Sequence, residues 1–384
     1  MSDGSAISWT DATWNIITGC SVLSAGCTNC YAMREAGEGR TKNHPPRAGL
    51  TVPSKAGPVW TGEVRFNGQW LEQPMRWRRP RLIFVCAHSD MFHDMVHVEW
   101  IDLIMAVIAQ SPQHVFQILT KRTAGMYSYF KSLPHRVEQV AAHIAKAWPK
   151  LAGAAAEALA RQVCKGVPSN VMLGASIENQ KAADERLWDL LSTPAHFHWV
   201  SYEPALGGVA FRNIIPGDAS LAGLGYRFDA LTGDIFRQNG TFHAQGPGHL
   251  DLIVAGGESG PHARVCHPEW FRRVRDDAAD AGRRFHFKQW GNWRHIALPD
   301  GSALDLGSLG KGKVPRFTMP PGVEAPAMKK DGTYAVVGID GVALGGLGGI
   351  KSPVALMERV GRKSEAGHLL DGVAHQDPLK EMLS

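Results

Sequence analysis

An α/β fold closed as a (β/α)8 TIM-type barrel is what this sequence predicts, on three observations. Eight short apolar runs recur along the chain, helix-patterned segments separate most of them, and polar or ionisable residues follow directly after the runs. Several runs are continuously apolar, as expected of strands covered on both faces in a parallel sheet. Eight strands alternating with helices is the number that closes a barrel. A doubly wound open sheet is the second choice, but it asks for a Gly-rich dinucleotide loop after its first strand, where this chain carries cysteines.

In chain order the expected strands are "WNIIT" (14–18), "GEVRFN" (62–67), "RLIFVCA" (81–87), "HVFQILT" (114–120), "NVMLGAS" (170–176), "FHWVSY" (197–202), "DLIVAGG" (251–257) and "RFHFKQW" (284–290). Helices are expected from apolar residues at helical spacing in 98–111, 179–193 and 267–282, the last closing on Gly282 at a C′ position. The barrel would occupy residues 1–293, with an Ala-rich helical insertion at about 132–168 and a Gly-rich loop insertion at about 212–249. Residues 294–384, rich in Gly and Pro, read as a C-terminal extension or lid.

At 384 residues, with 44% apolar and 20% charged residues, the chain has the composition of a soluble globular protein. Its longest apolar helix-like run, "WIDLIMAVIA", carries Asp102 and is too short to span a bilayer. The start, "MSDGSAISWT", has neither the basic end nor the apolar centre of a signal peptide, so the cytoplasm is the expected compartment. There thiols stay reduced, and clustered cysteines serve a metal more often than a disulfide. The net charge of +5 permits a nucleic-acid partner without requiring one. Arg76, Trp77, Arg78 and Arg79 form the expected nucleic-acid-binding cluster, since arginine beside tryptophan suits backbone gripping and base stacking. A solvated helix face explains the same residues, and explains Arg272, Arg273 and Arg275 better.

In a barrel the active site lies where the C-terminal ends of the strands meet. Asp90 follows the third run, Lys121 the fourth, Glu178 the fifth, Glu203 the sixth and Glu258 the seventh, while Lys288 lies in the eighth. One such carboxylate is unremarkable on a surface; three on consecutive strands beside Lys and Asp suggest acid–base or binding work.

After the first run come Cys20, Cys27 and Cys30, three of the six cysteines, spaced C-x6-C-x2-C. The C-x2-C half lets two thiolates face one ion, and Gly19 and Gly26 allow a tight backbone. A structural zinc wants four ligands, for which Cys86, Cys266, His88 and His267 are candidates. A [4Fe–4S] cubane held by only three thiolates keeps one iron open for an exogenous ligand. Cys86 and Cys164 read as buried packing residues.

The stretches "ISWTDATWNIITGCSVLSAGCTNCYA", "IFVCAHSDMFH", "FQILTKR", "NVMLGASIENQ", "VSYEP", "LIVAGGESG" and "FHFKQWGNW" together resemble, in order over about residues 7–293 and again in "ERVGRKSEAGHLLDG", a family of uncharacterised phage and prophage proteins with a three-cysteine motif, a domain of unknown function. That family in turn resembles the radical S-adenosylmethionine (SAM) superfamily. The resemblance implies a radical-SAM-like β/α barrel, a [4Fe–4S] cluster on Cys20, Cys27 and Cys30, and SAM chelating the open iron. It further implies one-electron cleavage of SAM to a 5′-deoxyadenosyl radical and an electron donor such as flavodoxin or ferredoxin. Tyr31 falls where the superfamily often has an aromatic residue near the adenine. Gly256, Gly257 and Glu258 resemble its SAM-ammonium stretch, with Lys288 a further cofactor contact, although here the Gly-Gly-Glu follows the seventh run and the first cysteine gap is three residues longer.

Three functions follow as expectations. The first is a radical SAM-type enzyme modifying a nucleobase or nucleotide, in phage DNA for example, with Glu203, Lys121, Asp90 and Glu178 as catalytic candidates. The second is a barrel hydrolase of glycosidase or N-glycosidase type with a structural metal on the cysteines. The third is a zinc-stapled nucleic-acid-binding protein, which leaves the strand-end carboxylates idle and repelling phosphate.

Overall fold

A computed structural model describes residues 9–297, 303–305, 316–318, 321, 333–338, 340 and 354–375. Its centre is one parallel sheet of seven strands: β1 (Ala12–Trp14), β2 (Leu82–Val85), β3 (Val115–Thr120), β4 (Val171–Ser176), β5 (His198–Tyr202), β6 (Leu252–Gly256) and β7 (Arg284–Gln289). They pair in sequential order, each parallel to the next. Sequential parallel pairing needs a crossover after every strand, and right-handed crossovers put the connecting helices on one side of the sheet.

The sheet is a curled half-barrel, and the closed eight-strand barrel expected from the sequence is corrected: β1 and β7 are not paired with each other. The missing strand is 62–67. Only Arg65–Phe66 is extended there, and it pairs antiparallel with Ile17–Thr18 outside the main sheet. The physical reason is its pattern. Gly-Glu-Val-Arg-Phe-Asn alternates, which suits a half-exposed antiparallel pair, whereas β4 is buried at all six positions. The first expected strand shifts likewise, from 14–18 to Ala12–Trp14.

Helices α1 (Tyr31–Gly37), α2 (Val98–Ala109), α3 (Thr123–Ser132), α4 (Val137–Ala147), α5 (Ala154–Val163), α6 (Gln180–Ser192) and α7 (Pro268–Asp280) account for most of the connections. The Ala-rich segment between β3 and β4 is thus largely helical, and Asp102 of α2 ties it down. Its buried carboxylate accepts from Tyr129, Arg136 and His143. The segment expected as a loop at 212–249 carries a small three-stranded antiparallel sheet, Arg227–Phe228, Asp234–Phe236 and Phe242–Gln245.

The larger core lies between helices and sheet, while the concave face holds Trp9, Leu82, Phe84, Met172, Trp199, Leu252 and Val254. Trp199 fills that face because β4 offers Gly174 beneath it: a Cβ there would stand 2.4 Å from the Trp199 indole nitrogen. Of the expected extension or lid, the described parts add β8 (Trp293–Ile296), β9 (Thr333–Gly338) and β10 (Val354–Arg359), an antiparallel sheet in the order β8–β10–β9. The chain then returns along β7. The Phe287 amide donates to the His375 carbonyl, the Trp290 indole to Leu369, and Arg272 and Arg275 of α7 both bind Asp371. The outer edge of β7 is therefore occupied by this segment. No helix among the described residues is long and apolar enough to cross a membrane.

Replacing Gly174 by Ala should force the fully buried Trp199 out of its rotamer and lower stability by about 1–3 kcal/mol, read as the shift of a urea-unfolding midpoint. Full stability in that variant would contradict the tight fit on the concave face.

Candidate functional site

The cysteine loop sits at the C-terminal end of the sheet because the chain continues beside β2 after β1 ends. The Gly19 amide donates to the His88 carbonyl, and the Ser89 hydroxyl donates to Gly19 at 2.6 Å. Cys20 follows, Cys27 ends a 3-10 turn (Ala25–Cys27), and Cys30 immediately precedes α1. All three thiols are half-buried and free, whereas Cys86, Cys164 and Cys266 are buried.

Three strand-end carboxylates hold this loop. Asp90, after β2, accepts from Thr120 Oγ1 at 2.7 Å and the Phe92 amide on one oxygen, and from the Lys121 amide and Arg122 Nη1 on the other. Arg122, its side chain 8% exposed, then reaches the loop: Nη2 donates to Ser21 Oγ at 2.7 Å and Nη1 lies 3.9 Å from Cys20 Sγ. Ser21 also pairs with His93 Nε2 at 2.9 Å. Glu178, after β4, takes a two-pronged pairing from Arg186 at 2.8 and 3.3 Å, and Gly26 of the loop packs directly on its carboxylate. Glu258, after β6, accepts from the Arg264 side chain and amide and from Asn29, the residue directly before Cys30. Arg264 Nη1 donates onward to the Ala25 carbonyl.

Burial alone would raise the Glu178 carboxyl, but the hydrogen bond and charge of Arg186, with Ser24 and Lys121, hold it below the ordinary range. Glu258 behaves the same way, with burial outweighed by Arg264 and Asn29. Burial pushes the Cys20 thiol up to about 11, helped by Asp90 and opposed by Arg122, and burial likewise raises Cys30. His88, beside the loop, is pulled down to about 4 by burial and then by Arg47, so it is neutral at ordinary pH.

Glu203 stands apart from these three. Its Oε2 lies 3.1 Å from Lys288 Nζ, with the two side chains 12% and 21% exposed. The pair spans the intervening β6, which is possible because Gly256 carries no side chain: a Cβ there would stand 2.7 Å from Glu203 Oε1. Gly257 has a steric task too, since its Cβ would meet the Trp290 carbonyl at 2.1 Å. Lys121 is half-buried at the mouth, its charge felt by both Cys30 and Glu178. The Tyr31 hydroxyl donates to the Ala87 carbonyl at 2.5 Å, leaving the side chain 54% exposed beside the thiols.

The structure thus gathers Cys20, Cys27, Cys30, Tyr31, Asp90, Lys121, Glu178 and Glu258 around one loop, with Glu203 and Lys288 at the same end of the sheet. It does not bring Arg76, Trp77, Arg78 and Arg79 there. They precede β2 and so lie toward the opposite end, with Arg76, Arg78 and Arg79 pointing into solvent or nearly so. Trp77 is half-buried, packed on the core, edge-on to His114 and covered by Arg81 at 4.8 Å. Sequence reasoning gave no role to Arg122, Arg186, Arg264, Ser21 and Asn29. Arg122, at the end of the fourth run, and Ser21 and Asn29, inside the cysteine loop, carried a positional signal.

The donor chemistry suits a sulfur-bound metal group. Three thiols share one loop, with the Ser24 hydroxyl near Cys27 and Arg122 at Cys20. Arg122 Nε and His88 Nδ1 are buried without a hydrogen-bond partner, so the pocket has spare polar capacity that an anionic group would use. Among the described residues no three Cys, His, Asp or Glu side chains, the three cysteines included, stand grouped so as to hold a metal ion.

Because both carboxyls are depressed, the stability they add is present above about pH 4.3 and is lost as pH falls through their lower folded values. The unfolding midpoint should therefore stay level from pH 7 to 5 and drop below about 4. Glu258→Gln should flatten part of that drop, while Glu258→Ala should cost about 3 kcal/mol and speed alkylation of Cys27 and Cys30 by iodoacetamide. Unchanged alkylation would show that the Glu258 contacts do not hold the loop.

No curated protein and no solved structure matches the chain. A family model described as "Protein of unknown function (DUF5131)" matches residues 4–378. With nearly its whole length covered, the chain belongs to the DUF5131 family.

Proposed function

We propose that Cys20, Cys27 and Cys30 hold a [4Fe–4S] cluster and that the protein is a radical SAM-type enzyme acting on a nucleobase or nucleotide, in phage DNA by its resemblance. A bound cluster would supply one electron, taken from a donor of the flavodoxin or ferredoxin class, for the cleavage of SAM to methionine and a 5′-deoxyadenosyl radical. The observation that carries the reading is Arg122, a buried cation fixed by Asp90, directed at Cys20 and holding a spare buried donor beside three thiols. N–H donors around sulfur are a principal means of setting a cluster's potential.

The rest follows from this chain's own groups. Glu178 and Glu258 fix the loop and are saturated by arginine, so they orient rather than react. The Lys288 ammonium and Glu203 carboxylate, in contact and partly open to solvent, can give and take a proton at Nζ and Oε2. Tyr31 offers a ring for an adenine beside the thiols. A hydrolase would want two carboxylates free to act as acid and base, and two of its three candidates are saturated by arginine.

Anaerobically purified protein should be brown and hold about four irons per chain. Ala at Cys20, Cys27 or Cys30 should remove iron and activity together, and SAM with dithionite should yield 5′-deoxyadenosine. A colourless protein holding one zinc after anaerobic reconstitution overturns the reading. Glu203→Gln should keep the iron and lower substrate turnover by about 100-fold or more, whereas full turnover in that variant removes Glu203 from the mechanism.

A further inference from the structure

Directly after Glu258 the turn Ser259–Gly260–Pro261 forms one wall of a cleft of about 570 Å³, and Arg359, Val360, Gly361, Arg362 and Lys363 form the other. Asn292 joins the walls: its Oδ1 accepts from the Gly260 amide at 2.7 Å and its Nδ2 donates to the Val360 carbonyl at 3.1 Å. The cleft lining contains three basic residues and no carboxylate. Arg362 and Lys363 are exposed, while Arg359 is tied to the Pro261 carbonyl and braces the two walls. A fourth cation comes from the cysteine side. Arg34 of α1 lies against Gly260, where a Cβ would stand 2.8 Å from its Nη1, and Gly260 has φ +115°, a backbone geometry that glycine accepts freely. Positive charge is thus concentrated beside the cysteine loop, at the end of the sheet opposite the Arg76–Arg79 cluster.

We infer that this cleft is a phosphate-binding track for a single nucleic-acid strand, leading to the three-cysteine mouth. Three features favour a strand over a free nucleotide. The cleft is an open trough, its cations follow one another along one wall with Arg34 behind the other so that successive phosphates can be met in turn, and it abuts the loop that would act on a base. Arginine and lysine on such a track grip the backbone without reading sequence. The inference rests on the nucleic-acid part of the proposed function and is independent of what the cysteines bind.

The test is binding of a fluorescein-labelled single-stranded oligothymidylate to the full chain over a series of salt concentrations, with iron measured separately on the same preparations. Arg362→Ala with Lys363→Ala should weaken binding by about tenfold or more and reduce the log–log salt slope by roughly 1.4, the share of two phosphate contacts. Arg34→Gln should weaken it independently, and Ala at Arg76, Arg78 and Arg79 should leave it unchanged. Circular dichroism of each variant checks that the fold is kept. Unaltered affinity and slope in the Arg362/Lys363 variant overturn the inference, as does loss of binding confined to the Arg76–Arg79 variant. Competition by thymidine monophosphate as strong per phosphate as by the oligonucleotide also overturns it, in favour of a free nucleotide. Iron without strand binding refutes the track alone, and strand binding without iron refutes the cluster alone.

Discussion

Three buried carboxylates, each answered by an arginine, are the constraint on which the candidate site depends. A carboxylate taken out of water without a partner is costly enough to be protonated or expelled. Asp90, Glu178 and Glu258 therefore have to keep Arg122, Arg186 and Arg264 close. Two of those arginines also donate to the cysteine loop, at Ser21 and at Ala25, and all three carboxylate–arginine pairs lie against it. The loop has little regular secondary structure of its own, so its shape is borrowed from charge pairs rooted on β2, β4 and β6.

The same pairs explain the spacing between the first two cysteines. The six intervening residues are not slack. Ser21 meets Arg122 and His93, Ser24 lies beside Cys27, Ala25 accepts from Arg264 and Gly26 packs on Glu178. Only Val22 and Leu23 are strongly exposed apolar residues of that stretch. The gap thus supplies both a contact toward Asp90 after β2, through Arg122, and one toward Glu258 after β6, through Arg264.

Much of this fold is legible in sequence because burial on both faces leaves apolar runs, continuous in β2 and β6 and interrupted by polar residues in β3, β5 and β7. The segment 62–67 misleads because Val64 and Phe66 alternate with polar residues, a pattern shared by a strand in a main sheet and by a two-residue edge pairing. The carboxylates at the strand ends are legible as well, since position after a run marks them. Their partners are not. Arg186 belongs to the following helix and Arg264 to a turn, and no local periodicity says which carboxylate either will meet. Arg76–Arg79 illustrates the converse: its composition suits nucleic acid, but standing before β2 rather than after it puts it at the other end of the sheet.

The edge of β7 has a consequence for how this fold can fail. A parallel strand with unpaired amides and carbonyls is a template for any other extended chain. Here the segment around 369–375 takes that place, and its Asp371 neutralises Arg272 and Arg275. Detachment of that segment would leave the half-barrel with a raw edge, inclined to join its neighbours strand to strand. The segment is thus a guard against association as much as a part of the structure.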